Sequence, residues 1–78
     1  MAKYNINDNV LVRSDLIDEH GYGDNCFVSG MRSALGKIVT ITHVDDRGQY
    51  HINDSWYFYW TNEMFVGKVI GNKVIKGE

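Results

Sequence analysis

A chain of 78 residues makes one domain with a thin core, and its single cysteine, Cys26, excludes an intramolecular disulfide. With 44% hydrophobic and 23% charged residues, the composition is that of a globular domain and not of a disordered segment. Eight Lys and Arg stand against ten Asp and Glu, a net charge of −2, which argues against sequence-independent binding to nucleic-acid phosphates.

The opening residues "MAKYNINDNV" contain no apolar stretch of signal-peptide length, and no segment is long and apolar enough to span a bilayer. The expectation is a soluble, cytoplasmic protein with no membrane partner. There is no proline, so turns must fall on Gly, Asn and Asp.

The first predicted strand lies in "DNVLVRSDL", where Val10 and Val12 alternate with Leu11 and Arg13. Val10 and Val12 are expected to face the core, closed by Leu16 and Ile17. "IDEHGYGDNCFVSGMRSALGK" follows as a long, Gly-punctuated loop. Within it Phe27, Met31 and Leu35 recur at helical spacing and predict a single helical turn.

"GKIVTITHV" is the clearest strand, with Val39 and Ile41 inward and a bulge after His43 to return Val44 to that face. "VDDRGQY" reads as a hairpin turn, and "QYHIND" as the returning strand with Tyr50 and Ile52 inward. "DS" makes a tight connection into "WYFYW", a further strand. "TNEMF" reads as a turn or single helical turn with Thr61 as cap. The tail "VGKVIGNKVIKGE" carries the two-residue Gly71-Asn72 signal of a hairpin. Five or six short strands with turns between them predict an all-β fold, a small barrel or a strongly bent sheet.

Several pieces in this order, "VRSDL", a Gly- and Tyr-containing loop ending at Met31, "GKIVTI", "YHI", then "W" and "EMF", carry a resemblance. The chain resembles the small SH3-like β-barrel proteins of bacteriophages and prophages of Gram-positive bacteria. It is more distantly similar to SH3-like repeats of the mind-bomb type. The resemblance covers Val10 to Phe65. It implies one SH3-like domain over residues 1–78, with its core in 9–65 and a C-terminal hairpin extension in 66–78. It also implies a phage gene whose product binds a host protein, including host defence factors.

Chemistry-bearing residues form no recognised constellation. His43 and His51 fall on the two strands of one hairpin, with Asp45 and Asp54 nearby, but the spacing matches no metal motif. Cys26 and His20 share a loop without a nucleophile motif, and Cys26 beside Phe27 and Val28 reads as a small buried hydrophobe. Asp45 and Asp46 sit in a turn, where Asp belongs for backbone reasons. Asp15 is expected to accept hydrogen bonds from loop amides, and Arg13 to pair with Glu63. No catalytic residue, cofactor or metal is expected, and the chain reads as non-enzymatic.

The aromatic run is the remaining feature. Alternation assigns Trp56, Phe58 and Trp60 to the core, with Met64 beneath, and turns Tyr57 and Tyr59 outward. Tyrosine suits a wet contact surface because its hydroxyl stays hydrated while its ring offers area. The tyrosines either shield the sheet under the C-terminal hairpin or form a binding surface. In the second case Tyr22, Tyr57 and Tyr59 contact a host protein, with Asp18, Glu19 and Asp24 at the rim. The alternatives are a barrel that stacks single-stranded nucleic acid on the same tyrosines, with Lys37, Arg47, Lys68, Lys73 and Lys76, or a structural component of a virion. The chain is expected to be a monomer or a weak homodimer, because Lys68 and Lys73 discourage pairing along the tail strands.

Overall fold

The computed structural model describes residues 3–53 and 58–76. Among these residues there are seven strands: β1 (Asn9–Val12), β2 (Gly21–Tyr22), β3 (Asn25–Cys26), β4 (Ile38–Val44), β5 (Tyr50–Ile52), β6 (Phe65–Ile70) and β7 (Lys73–Lys76). Five form an antiparallel sheet in the order β5-β4-β1-β6-β7, and β2 and β3 form a separate two-stranded ribbon. Short 3-10 helices occupy Ser29–Ala34 and Asn62–Met64. The fold is all-β.

The alternating pattern of β1 and β4 does what a half-buried strand should. Val10, Val12, Val39 and Ile41 are buried, and Val10 stands directly opposite Val39. Leu16 closes this layer, but Ile17 is 54% exposed and not in the core. Its own backbone explains why: the Ile17 amide donates to the Tyr22 hydroxyl and its carbonyl accepts from His20, so the chain turns away at this residue. The bulge in β4 falls between Ile41 and His43, not after His43, and Val44 returns half-buried against the core.

The long connection after β1 is not structureless. Glu19 takes a positive φ of 65° and starts a tight ribbon in which Gly21 pairs Cys26 and Tyr22 pairs Asn25, with Gly23 at φ 68° in the turn. Hydrogen bonds from Glu19 N–H to Phe27 O, and from Phe27 N–H to His20 O, extend the ribbon. Phe27 therefore points inward and is fully buried, and its neighbour Cys26 points out. Cys26 is exposed, contrary to the expectation of a buried hydrophobe. Met31 and Ala34 on the following 3-10 helix are buried, and Leu35 packs at the core margin.

An aromatic cluster fills the centre. Trp60 stacks on Phe65 at 6.0 Å between ring centroids with 15° between planes, and meets Phe27 edge-on at 6.3 Å. Tyr4 packs edge-on against Tyr50 and Phe65, both at 5.7 Å. The Tyr50 hydroxyl, buried with its ring, accepts from the Lys3 and Tyr4 amides and donates to Asn62 Oδ1. One phenol thus closes the N-terminal segment onto the sheet, which isolated rings could not do.

"WYFYW" is not a regular strand over its described part. Trp60 makes a single antiparallel bridge with Tyr50, and Phe58 lies half-buried against Gly30. Trp56 and the "DS" connection lie outside the described residues. The tail hairpin forms as expected: Gly71 takes the positive φ of 62° that a tight primed turn uses, and Val69 pairs Val74. It is built into the sheet, since β6 pairs along β1 and Phe65 is part of the core. At Gly67 β7 approaches so closely that an added Cβ would collide with the Ile75 carbonyl.

Candidate functional site

Two staples fix the β2–β3 ribbon beside the segment that leads to Trp60. The Asn25 side-chain amide donates to the Tyr59 carbonyl at 2.8 Å, and the Thr61 hydroxyl donates to the Tyr22 carbonyl at 2.7 Å. Thr61 occupies the cap position of its 3-10 helix, but its hydroxyl is spent on this staple and makes no cap bond.

Opposite the ribbon stands the β4–β5 turn. Asp45 organises it: Oδ1 accepts from the Arg47 and Gln49 amides, both at 2.9 Å, and the Asp45 amide donates to the Gln49 carbonyl. The Gln49 amide, and then that of Arg47, hold the Asp45 carboxyl below its ordinary pKa. Gly48 reaches φ 80° to close the turn.

Between ribbon and turn runs a groove of two lobes. The larger, of about 540 Å³, is bounded by Asp24 and Asn25, by Asp45 to Arg47, and by Gln49 and Tyr59. The smaller, of about 220 Å³, continues from Gly23 past Gly48 to Thr61, Asn62 and Glu63. Asp24, Arg47 and Gln49 belong to both. Among the described residues the groove is lined by four carboxylates, those of Asp24, Asp45, Asp46 and Glu63, and by the guanidinium of Arg47. Among the described residues none of these four is within ion-pair distance of a Lys or Arg; the ion pairs are Arg13–Asp15, Arg32–Asp18 and Lys68–Asp8.

Of the residues expected to bind a partner, Tyr59 and Asp24 line this groove. Tyr59 is 45% exposed, next in sequence to the fully buried Trp60, so alternation separates these two correctly even without a regular strand. Tyr57 lies outside the described residues. Tyr22 is half-buried: its hydroxyl accepts from the Ile17 amide, and the Arg13 guanidinium lies over its ring at 5.4 Å. That ring holds the loop in place. Asp18 is 3.8 Å from Arg32, and Glu19 shapes the entry to the ribbon; neither lines the groove.

Arg13 does not pair with the Glu63 carboxylate. It makes a two-pronged contact with Asp15, both bonds at 2.9 Å, and its third prong donates to the Glu63 backbone carbonyl. The planar guanidinium matches the nearer carboxylate two residues away, so Asp15 serves Arg13 and not the loop amides. This contact lowers the Asp15 pKa and raises that of Arg13. The Glu63 side chain is left to pack over Gly23, where an added Cβ would collide with it.

His43 and His51 are cross-strand partners, as the hairpin reading requires, with ring centroids 5.5 Å apart. Tyr59 packs on His51 at 4.6 Å, and the His51 Nδ1 is buried without a hydrogen-bond partner among the described residues. The His51 ring therefore backs Tyr59 from the sheet side. No group of three or more His, Cys, Asp or Glu among the described residues is arranged to hold a metal ion. Asp54, an expected neighbour of the histidines, lies outside them.

Sequence reasoning passed over Gln49. It is a turn residue with a polar side chain, yet it is only 9% exposed. No periodicity marks such a residue; its burial follows from the turn that Asp45 builds. Comparison with protein families, with curated proteins and with solved structures finds no match to this chain. The resemblance to phage SH3-like barrels gains no support from it. No helix among the described residues is long and apolar enough to cross a membrane.

Proposed function

We propose that the chain is a non-enzymatic protein-binding module whose contact surface is the groove between the β2–β3 ribbon and the β4–β5 turn. The observation that carries this reading is the exposed ring of Tyr59 on the groove wall, backed by His51 and held at its carbonyl by Asn25. A rigid aromatic presented beside polar turn backbone offers area at little entropic cost, which is what anchors of protein interfaces supply. We read the fold as an SH3-like barrel on the same basis: a five-stranded antiparallel sheet with a long ordered excursion after its first strand.

The charge of the groove favours a protein partner over nucleic acid. A strand of phosphates would meet the carboxylates of Asp24, Asp46 and Glu63, and Lys73 and Lys76 lie on β7, at the sheet edge remote from β5.

Photo-cross-linking tests the reading. A benzophenone amino acid replaces Tyr59 in one protein and Ile17 in another, each expressed in the native host. The expected result is a discrete adduct, identified by mass spectrometry, from position 59 and not from position 17. Adducts of equal yield at both positions, or none at position 59, would overturn it.

A further inference from the structure

We propose that β7 is a docking edge for an extended acidic segment of a partner, which adds to the sheet as an antiparallel strand. This edge lies at the opposite end of the sheet from β5 and the groove, so it stands or falls independently of the groove reading.

The backbone supplies the first observation. β7 is last in the sheet order and pairs with β6 alone, in a regular register from Ile70–Lys73 to Gly67–Lys76. The two-residue turn at Gly71-Asn72 makes Ile70 and Lys73 a hydrogen-bonded pair. Alternation then points the N–H and C=O of Lys73 and Ile75 at β6, and those of Val74 and Lys76 away from it. Among the described residues no backbone group of β7 bonds outside that ladder. The other edge of the sheet is covered: Tyr50 of β5 exchanges both backbone bonds with Trp60, each at 2.8 Å. Neither a cover of that kind nor a bulge or proline blunts β7. Its lysines do, and they discriminate by charge.

Charge is therefore the second observation. Lys73 and Lys76 flank Val74 and Ile75, and all four are exposed. Among the described residues neither lysine is within ion-pair distance of a carboxylate, whereas Lys68 on β6 has Asp8 at 3.3 Å. Successive side chains alternate, so Lys73 shares one face with Ile75, and Lys76 shares the other with Val74. The complement is a run of acidic, apolar, apolar and acidic residues. It sets a carboxylate opposite each lysine and β-branched side chains opposite Val74 and Ile75.

A second copy of this chain fits badly. Placing its Ile75 opposite Val74 sets Lys73 against Lys76, and like charges directly opposite destabilise a pair of strands. The lysines thus admit an acidic strand and turn away a copy. Main-chain bonds give such a contact its affinity, and the side chains select the partner.

The test uses the full chain, uniformly ¹⁵N-labelled, and the capped peptide Gly-Ser-Glu-Val-Ile-Glu-Ser-Gly. One matched peptide carries lysine in place of both glutamates. Another carries N-methyl groups on the isoleucine and the first glutamate, whose amides would face β7. In the free chain the amides of Val74 and Lys76 are expected to exchange with solvent faster than those of Lys73 and Ile75. The glutamate peptide is expected to shift and protect Val74 and Lys76 while leaving Gln49 and Tyr59 unmoved, with affinity that falls as salt is raised. The lysine and N-methylated peptides are expected not to bind. The Lys73→Gln, Lys76→Gln double variant, shown folded by its dispersed spectrum, is expected to lose about fivefold in affinity for the glutamate peptide. Equal affinity for the glutamate peptide and either matched peptide, or no shift at Val74 and Lys76 with millimolar glutamate peptide, would overturn the proposal. Protection of these two amides in the chain alone, growing with its concentration, would overturn it in favour of a second copy.

Discussion

Trp60 and Tyr59 are neighbours in the chain, yet one ends in the aromatic core and the other in a charged groove. The core around Trp60 is nearly all apolar: Trp60, Tyr50 and Phe27 are fully buried, and its main polar device is the Tyr50 hydroxyl network. The groove around Tyr59 is polar, with four carboxylates and one guanidinium among its described lining residues, and is held by turn geometry and side-chain-to-backbone staples. The contrast teaches that one bridge, Trp60 with Tyr50, suffices to divide folding from presentation. Residues that turn inward there should govern stability, and those that turn outward should govern contact.

The largest expected effect is at the centre of the core. Trp60→Ala should cost about 3–5 kcal/mol in urea unfolding, through lost burial and a cavity, and in so small a domain should leave the chain largely unfolded. Tyr50→Phe comes next. It keeps the ring but strips the Lys3 and Tyr4 amides and Asn62 of their shared partner, an expected loss of about 1–3 kcal/mol. Gly67→Ala should destabilise by about 1–3 kcal/mol, because its methyl group meets the Ile75 carbonyl of β7. If Gly67→Ala were neutral, β7 would not be docked as described.

The pH dependence separates the same two regions. Burial first, against the pull of the Tyr4 and Lys3 amides, raises the Tyr50 pKa; burial and then Tyr50 raise that of Tyr4. Folding therefore favours the protonated phenols. Their contribution is complete below the ordinary tyrosine value of about 10, and is lost as pH rises through the higher folded values. Unfolding followed by circular dichroism should show this alkaline loss, reduced in Tyr50→Phe. Asp45 has the opposite sign: its pKa is lowered, so its contribution is present above the ordinary Asp value of about 3.9 and is lost as pH falls through the folded value. Amide exchange at Arg47 and Gln49 should quicken there before the core opens.

Much of this division was legible in the residues themselves. The Val and Ile alternation of β1 and β4, the Asp45–Gly48 turn and the Gly71-Asn72 hairpin each carry a local physical signature. Tyr59 and Trp60 separated by alternation alone. Tyr4 did not, because a lone aromatic between Lys3 and Asn5 has no period, and its burial depends on Tyr50, far along the chain. The β2–β3 ribbon escaped for the same reason: strands of two residues are too short to alternate. Cys26 was misplaced because its facing is set by its pairing with Gly21, and Gln49 because its burial is set by the turn. The groove is a product of these non-local placements, so its residues were named one by one but not together.

The smallest expected effect is also the most telling. Equilibrium urea unfolding of Tyr59→Ala beside the unaltered chain asks whether this ring holds the fold or is presented by it. A change within about 0.5 kcal/mol, as for a surface side chain, is the outcome expected of a contact residue. A loss above about 2 kcal/mol would make Tyr59 part of the core with Trp60 and would contradict the division on which the groove depends.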